Sequence, residues 1–122
     1  MLVSDSCYSG SLAGSERVRV GRSAAPADQL TRRAAVVLSS GGNEPVADEG
    51  REGHSVFAWH FMRALESLSD WQMGSGLFER VRDAVVKDFP QTPQYGASRS
   101  AGHQGNTDYL FERREFEAST SP

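Results

Sequence analysis

The chain has 122 residues, 38% of them apolar, and its 13 basic against 16 acidic side chains leave a net charge of −3. That length suits one compact domain, able to bury roughly 65% of the surface its unfolded chain exposes. The charge balance offers no general attraction to phosphate backbones or anionic bilayers, so neither nucleic acid nor membrane is expected as a partner.

A single cysteine, Cys7, excludes an internal disulfide and any multi-cysteine zinc site. Stability must then come from buried apolar surface, and a reducing, cytoplasmic location is expected. The longest uninterrupted apolar run, residues 34–38, is far short of the ~20 residues that span a bilayer. The first ten residues have neither a basic start nor a long apolar stretch, so no export signal is expected.

In chain order, Met1-Leu2-Val3-Ser4 reads as a short strand that runs directly into Asp5-Ser6-Cys7-Tyr8-Ser9-Gly10. Residues 10–33, rich in Ser, Gly, Ala and Arg with one Pro, show no sustained period and are expected to form a long exposed loop. Ala34-Ala35-Val36-Val37-Leu38 predicts a strand buried on both faces, followed by a polar, acidic loop over 39–53.

Ser55 can cap a helix through Leu68, in which Phe57, Phe61, Leu65 and Leu68 share one face. A second helix is expected from Ser75 to Pro90, with Phe78, Val81, Val85 and Phe89 inward. Residues 90–96 read as an extended turn, 107–111 as a final strand and the tail from Glu112 as frayed. The order of strands and helices is α/β, with three strands and two helices amounting to part of a sheet.

Cys7 would sit just past the carboxyl end of the first strand, where α/β folds usually bind ligands. A nucleophilic cysteine needs a base or cation to stabilise its thiolate, and neither flank supplies one within five residues. His54 and His60 are six residues apart, some 240° around a helix, so they cannot share a metal from one face. Gly74-Ser75-Gly76 lacks the preceding apolar strand and following Gly-Lys-Ser/Thr of a phosphate loop. Asp48, Glu49 and Glu52 lack the ligand alternation of a calcium loop. These acidic residues read as a solvated loop, and no cofactor is expected.

The hexapeptide Asp5-Ser6-Cys7-Tyr8-Ser9-Gly10 resembles the nucleophile motif Asp-Ser-Cys-His-Ser-Gly of the caspase-like cysteine peptidases, in their metacaspase and prokaryotic orthocaspase branch. Further segments resemble that family in the same order: residues 37–44, like its next strand and pocket loop; Gly53-His54-Ser55-Val56-Phe57, like the following helix start; and residues 90–96 and 102–106, like the approach to its last strand. The resemblance implies the C-terminal half of a caspase-like fold over residues 1–112, a partial, mostly parallel sheet flanked by helices, with 113–122 as a disordered tail. All basic residues but one are Arg and Ile is absent, a composition that fits a GC-rich, bacterial source.

By the same resemblance, Cys7 is the nucleophile and its backbone amide one donor of the oxyanion hole. Asp5, Ser39 and Ser40 line the pocket for the residue before the scissile bond, where a carboxylate suits Arg or Lys. The sequence has Gly42 where many metacaspases carry a second pocket Asp and Tyr8 where they carry His; Glu44 is the candidate for the missing charge. The family's base is a His followed by Gly, about 50 residues or more before the cysteine. Only six residues precede Cys7 here, so an upstream half carrying His-Gly is the expected partner, and this chain alone is expected to be inactive. The implied function is a cysteine endopeptidase acting on peptides or proteins through a thioester; the alternative is a non-catalytic module or inactive fragment of that fold. Self-cleavage is expected in the first loop, after Arg17, Arg19, Arg22, Arg32 or Arg33.

Overall fold

The computed structural model describes residues 1–6, 16–18, 26–41 and 52–114. Its elements in order are β1 (Leu2–Ser4), α1 (Pro26–Leu30), β2 (Val36–Ser39), α2 (Val56–Glu66), β3 (Trp71–Met73), α3 (Gly74–Asp88), β4 (Gln94–Ala97) and β5 (Leu110–Glu112). β1, β2 and β4 form one sheet in that order, and β3 and β5 form a second, two-stranded one. The architecture is mixed α/β, a small sheet flanked by helices.

β1 runs parallel to β2, with Leu2 opposite Val37 and Ser4 opposite Ser39. β4 runs antiparallel to β2, with Tyr95 opposite Leu38. One parallel and one antiparallel pairing replace the mostly parallel sheet expected from the sequence. A parallel neighbour needs a single crossover, whereas two helical passes, α2 and α3, separate β2 from β4 and bring the chain in from the opposite end. All four β2 residues are buried, as a central strand covered on both faces requires.

The helices follow from their apolar spacing. In α2, Val56, Phe57 and Ala64 are buried, Phe61 and Leu65 pack beside them, and Leu68 closes the cluster just past the helix end. Ser55, in extended conformation, accepts the Ala58 amide at 3.0 Å, the expected N-cap. In α3 the innermost stripe is Leu77, Val81 and Val85 at steps of four, with both valines fully buried and Phe78 and Phe89 at its border. Leu38 brings β2 into the same core.

The first turn of α3 has no side-chain cap of its own, because Met73 stands at the N-cap. Asp108, far along the chain and 2% exposed, takes that role: its Oδ2 accepts the Ser75 amide at 2.8 Å. Its Oδ1 accepts the Tyr109 amide at 2.7 Å and the Tyr95 hydroxyl at 2.5 Å. Gly74 permits this approach, since a Cβ there would collide with the Tyr95 hydroxyl. Burial, then the neighbouring Asp108 carboxylate, push the Tyr95 hydroxyl far above the ordinary tyrosine range. Buried Gln29 of α1 accepts from the Asp108 amide at 2.9 Å and the Thr107 hydroxyl at 3.0 Å, which ties α1 into the same node.

Several expected boundaries move. Within the expected loop 10–33, residues 26–30 form α1, opened by Pro26 at a position that suits proline. Glu16 makes a β-bridge to Ala97, reinforced by an ion pair from Arg99 Nε to Glu16 Oε1 at 2.7 Å. The expected turn over 90–96 contributes β4 from Gln94, since β2 offers a hydrogen-bonding edge that local propensity does not register. The last strand shifts to Leu110–Glu112, leaving Thr107 and Asp108 to the buried node. Nor is the tail frayed at Glu112: Arg113 donates to the Glu66 and Leu68 carbonyls at 3.0 and 2.9 Å, a cation at the carboxyl end of α2.

Candidate functional site

The carboxyl ends of β1 and β2 lie side by side and bring Asp5, Ser6, Ser39 and Ser40 together. The Ser40 amide extends the parallel ladder by donating to the Ser4 carbonyl at 2.9 Å. Beyond it the Ser40 hydroxyl grips Ser6 from both sides, accepting its amide at 3.1 Å and donating to its carbonyl at 3.0 Å. Gln91, 1% exposed in the α3–β4 connection, donates from Nε2 to the Ser40 carbonyl at 2.7 Å. Four hydrogen bonds thus fix the strand end that leads toward residue 7.

Asp5 alternates to the other side of the strand end. Its Oδ2 accepts the Ser55 hydroxyl at 2.7 Å, so one serine serves both as the α2 cap and as the holder of this exposed carboxylate. The Ser39 hydroxyl is buried and donates to the Gly41 carbonyl at 3.1 Å. Both expected pocket serines therefore direct their hydroxyls into the protein's own backbone. Cys7, Tyr8, Gly42 and Glu44 lie outside the described residues.

The three histidines separate clearly. His103 accepts the Ala35 amide on Nδ1 at 3.1 Å, at the amino end of β2, opposite Ser39 and Ser40. His60 Nε2 meets Asp88 Oδ2 at 3.0 Å across the α2–α3 contact. His54 is the one histidine adjoining the strand-end cluster, through its neighbour Ser55. It lines a depression of about 190 Å³ with Glu52, Trp59 and Glu66. The backbone before it turns through the left-handed region at Glu52 (φ 54°) and Gly53 (φ 79°). No group of three metal-ligating side chains occurs among the described residues. Gly74-Ser75-Gly76 opens α3, where the Asp108 carboxylate occupies the anion position of the helix terminus. No helix of the described residues is long and apolar enough to cross a membrane.

Sequence reasoning singled out Asp5, Ser39 and Ser40 but missed Gln91 and the second role of Ser55. A capping serine is legible from its place before an apolar repeat, whereas its bond to Asp5, 50 residues away, depends on the fold. No protein-family model matches the chain, and no curated protein or solved structure matches it either.

Proposed function

We propose that the chain carries the nucleophile half of a cysteine endopeptidase site, with Cys7 attacking the scissile carbonyl and Asp5 selecting a basic residue before it. The observation that supports this reading is the convergence of Asp5, Ser6 and Ser40 at the carboxyl ends of two parallel strands, immediately before the only cysteine. The thiolate forms a tetrahedral adduct, the leaving amine takes a proton, and water then resolves the thioester. A His-Gly segment outside these 122 residues would supply the base and the second oxyanion donor. His60 and His103 are engaged elsewhere.

The test is hydrolysis of Arg-containing fluorogenic peptides by the chain co-expressed with a strand-His-Gly segment, alongside alkylation of Cys7 as a function of pH. The expected result is turnover that disappears in Cys7→Ala and a thiol that reacts well below the unperturbed pKa of about 8.5. An ordinary thiol titration with no Cys7-dependent turnover would overturn the reading. It would favour a non-catalytic module, to which the inward-directed Ser39 and Ser40 hydroxyls are equally suited.

A further inference from the structure

We infer that Ser40, anchored by Gln91, is a positioning residue that sets the direction of the peptide unit joining Ser6 to Cys7. The inference rests on the proposed peptidase reading and assigns Ser40 a role other than pocket wall. The Ser6 carbonyl and the amide of the next residue belong to one planar group and turn as one body. A bond that holds the carbonyl oxygen therefore also sets where the amide on its far side points. The Ser40 hydroxyl holds that oxygen at 3.0 Å and, by accepting the Ser6 amide at 3.1 Å, fixes the preceding peptide unit as well. One side chain thus holds both polar backbone groups of Ser6.

The lock is rigid at its base. Ser40 is fully buried, its amide is in the ladder to Ser4, and its carbonyl receives Gln91 Nε2 at 2.7 Å. Gln91 in turn stands just beyond Phe89, the residue that ends α3, and its amide donates to the Phe89 carbonyl at 2.7 Å. Alignment thus runs from the α3 terminus through Gln91 and Ser40 to the unit that presents the proposed oxyanion donor. Such donors act by being oriented before charge develops, so a small rotation costs rate rather than substrate affinity.

The experiment compares wild type, Ser40→Ala, Ser40→Thr and Gln91→Met in the co-expressed assembly. Hydrogen exchange at the Ser6 amide is followed by NMR, and kcat and KM are determined on an Arg-containing peptide. Ser40→Ala should raise Ser6 exchange about ten-fold and lower kcat by on the order of 10- to 10²-fold at nearly constant KM. Ser40→Thr, which keeps the hydroxyl, should restore both. Gln91→Met should shift both in the same direction by less, and it supplies the test if Ser40→Ala folds poorly. Unchanged Ser6 exchange in Ser40→Ala would overturn the inference whatever the kinetics. A rise in KM at constant kcat would overturn it in favour of a pocket wall. Wild type without turnover but with Ser40-dependent exchange would overturn the peptidase reading and leave Ser40 a purely structural clamp.

Discussion

Replacing Asp108 by Ala removes the acceptor on which the start of α3, the start of β5 and the Tyr95 ring converge. The carboxylate accepts two amides and one hydroxyl at 2.8, 2.7 and 2.5 Å while 2% exposed. Hydrogen bonds to a charged acceptor contribute about 1.5–3 kcal/mol each, and each buried donor left without a partner costs roughly 1–3 kcal/mol. These are two views of one loss and do not add. Partial relaxation of the exposed side of the helix start brings the expected cost to about 4 kcal/mol, at the upper end of single-site effects.

With an unfolding entropy near 2.1 cal/mol/K per residue, that corresponds to a fall in Tm of about 16 °C for a chain this long. Urea denaturation followed by circular dichroism at pH 7 measures the loss directly. Tyr95→Phe removes one donor but leaves the carboxylate its two amides, so it should cost about 1.5–2 kcal/mol. The double variant should fall short of the sum by about 1–2 kcal/mol because the two share a bond. A loss below about 1 kcal/mol for Asp108→Ala, or strict additivity with Tyr95→Phe, would refute the account of this node as a cap supplied from outside the helix.

Tyr95 stays neutral in the folded protein at pH values where an unfolded tyrosine ionises, so the unfolded chain holds fewer protons above about pH 10 and stability falls there by up to ~1.4 kcal/mol per pH unit. Comparing urea midpoints of wild type and Tyr95→Phe between pH 9 and 11 should show the steeper decline in wild type; parallel curves would contradict it. Ser55→Ala should cost about 1 kcal/mol through the lost N-cap, seen as a lower urea midpoint, whereas Asp5→Ala should leave the midpoint nearly unchanged. In the co-expressed assembly Asp5→Ala should lower kcat/KM on Arg peptides by on the order of 10²-fold, with Leu peptides unaffected. Self-cleavage after Arg17 and after Arg32 should both be slow, because the bridge to Ala97 and the Arg99 ion pair hold Glu16 against β4 while Arg32 Nη1 donates to the Gly105 and Asn106 carbonyls; mass spectrometry should show Glu16→Ala raising cleavage after Arg17 alone.

Much of this arrangement is legible in the sequence. The buried β2 run, the Ser55 cap and the stripes of α2 and α3 are local statements about period and capping, and local statements survive folding. β4 escaped because Gln94, Tyr95, Gly96 and Ala97 have little strand character of their own and pair only because β2 has an edge to fill. α1 escaped because five residues cannot display a helical period. At the site, Asp5 and Ser40 could be named from the motif and strand ends, while Gln91 could not, since nothing in its neighbourhood signals a partner 51 residues away.

The Asp108 node also bears on how the molecule reaches this state. α2, β3 and α3 are contiguous and contain most of the core, so their contacts close short stretches of chain and can form early. Bringing Ser75 and Tyr95 to the Asp108 carboxylate closes stretches of 33 and 13 residues, whereas bringing Gln29 to the Asp108 amide requires a loop of 79 residues to close. The contacts of Gln29 are therefore expected to form after the folding transition state. On that expectation Gln29→Ala shortens the lifetime of the native molecule and leaves the speed of folding almost unchanged, an outcome that stopped-flow refolding and unfolding rates would check.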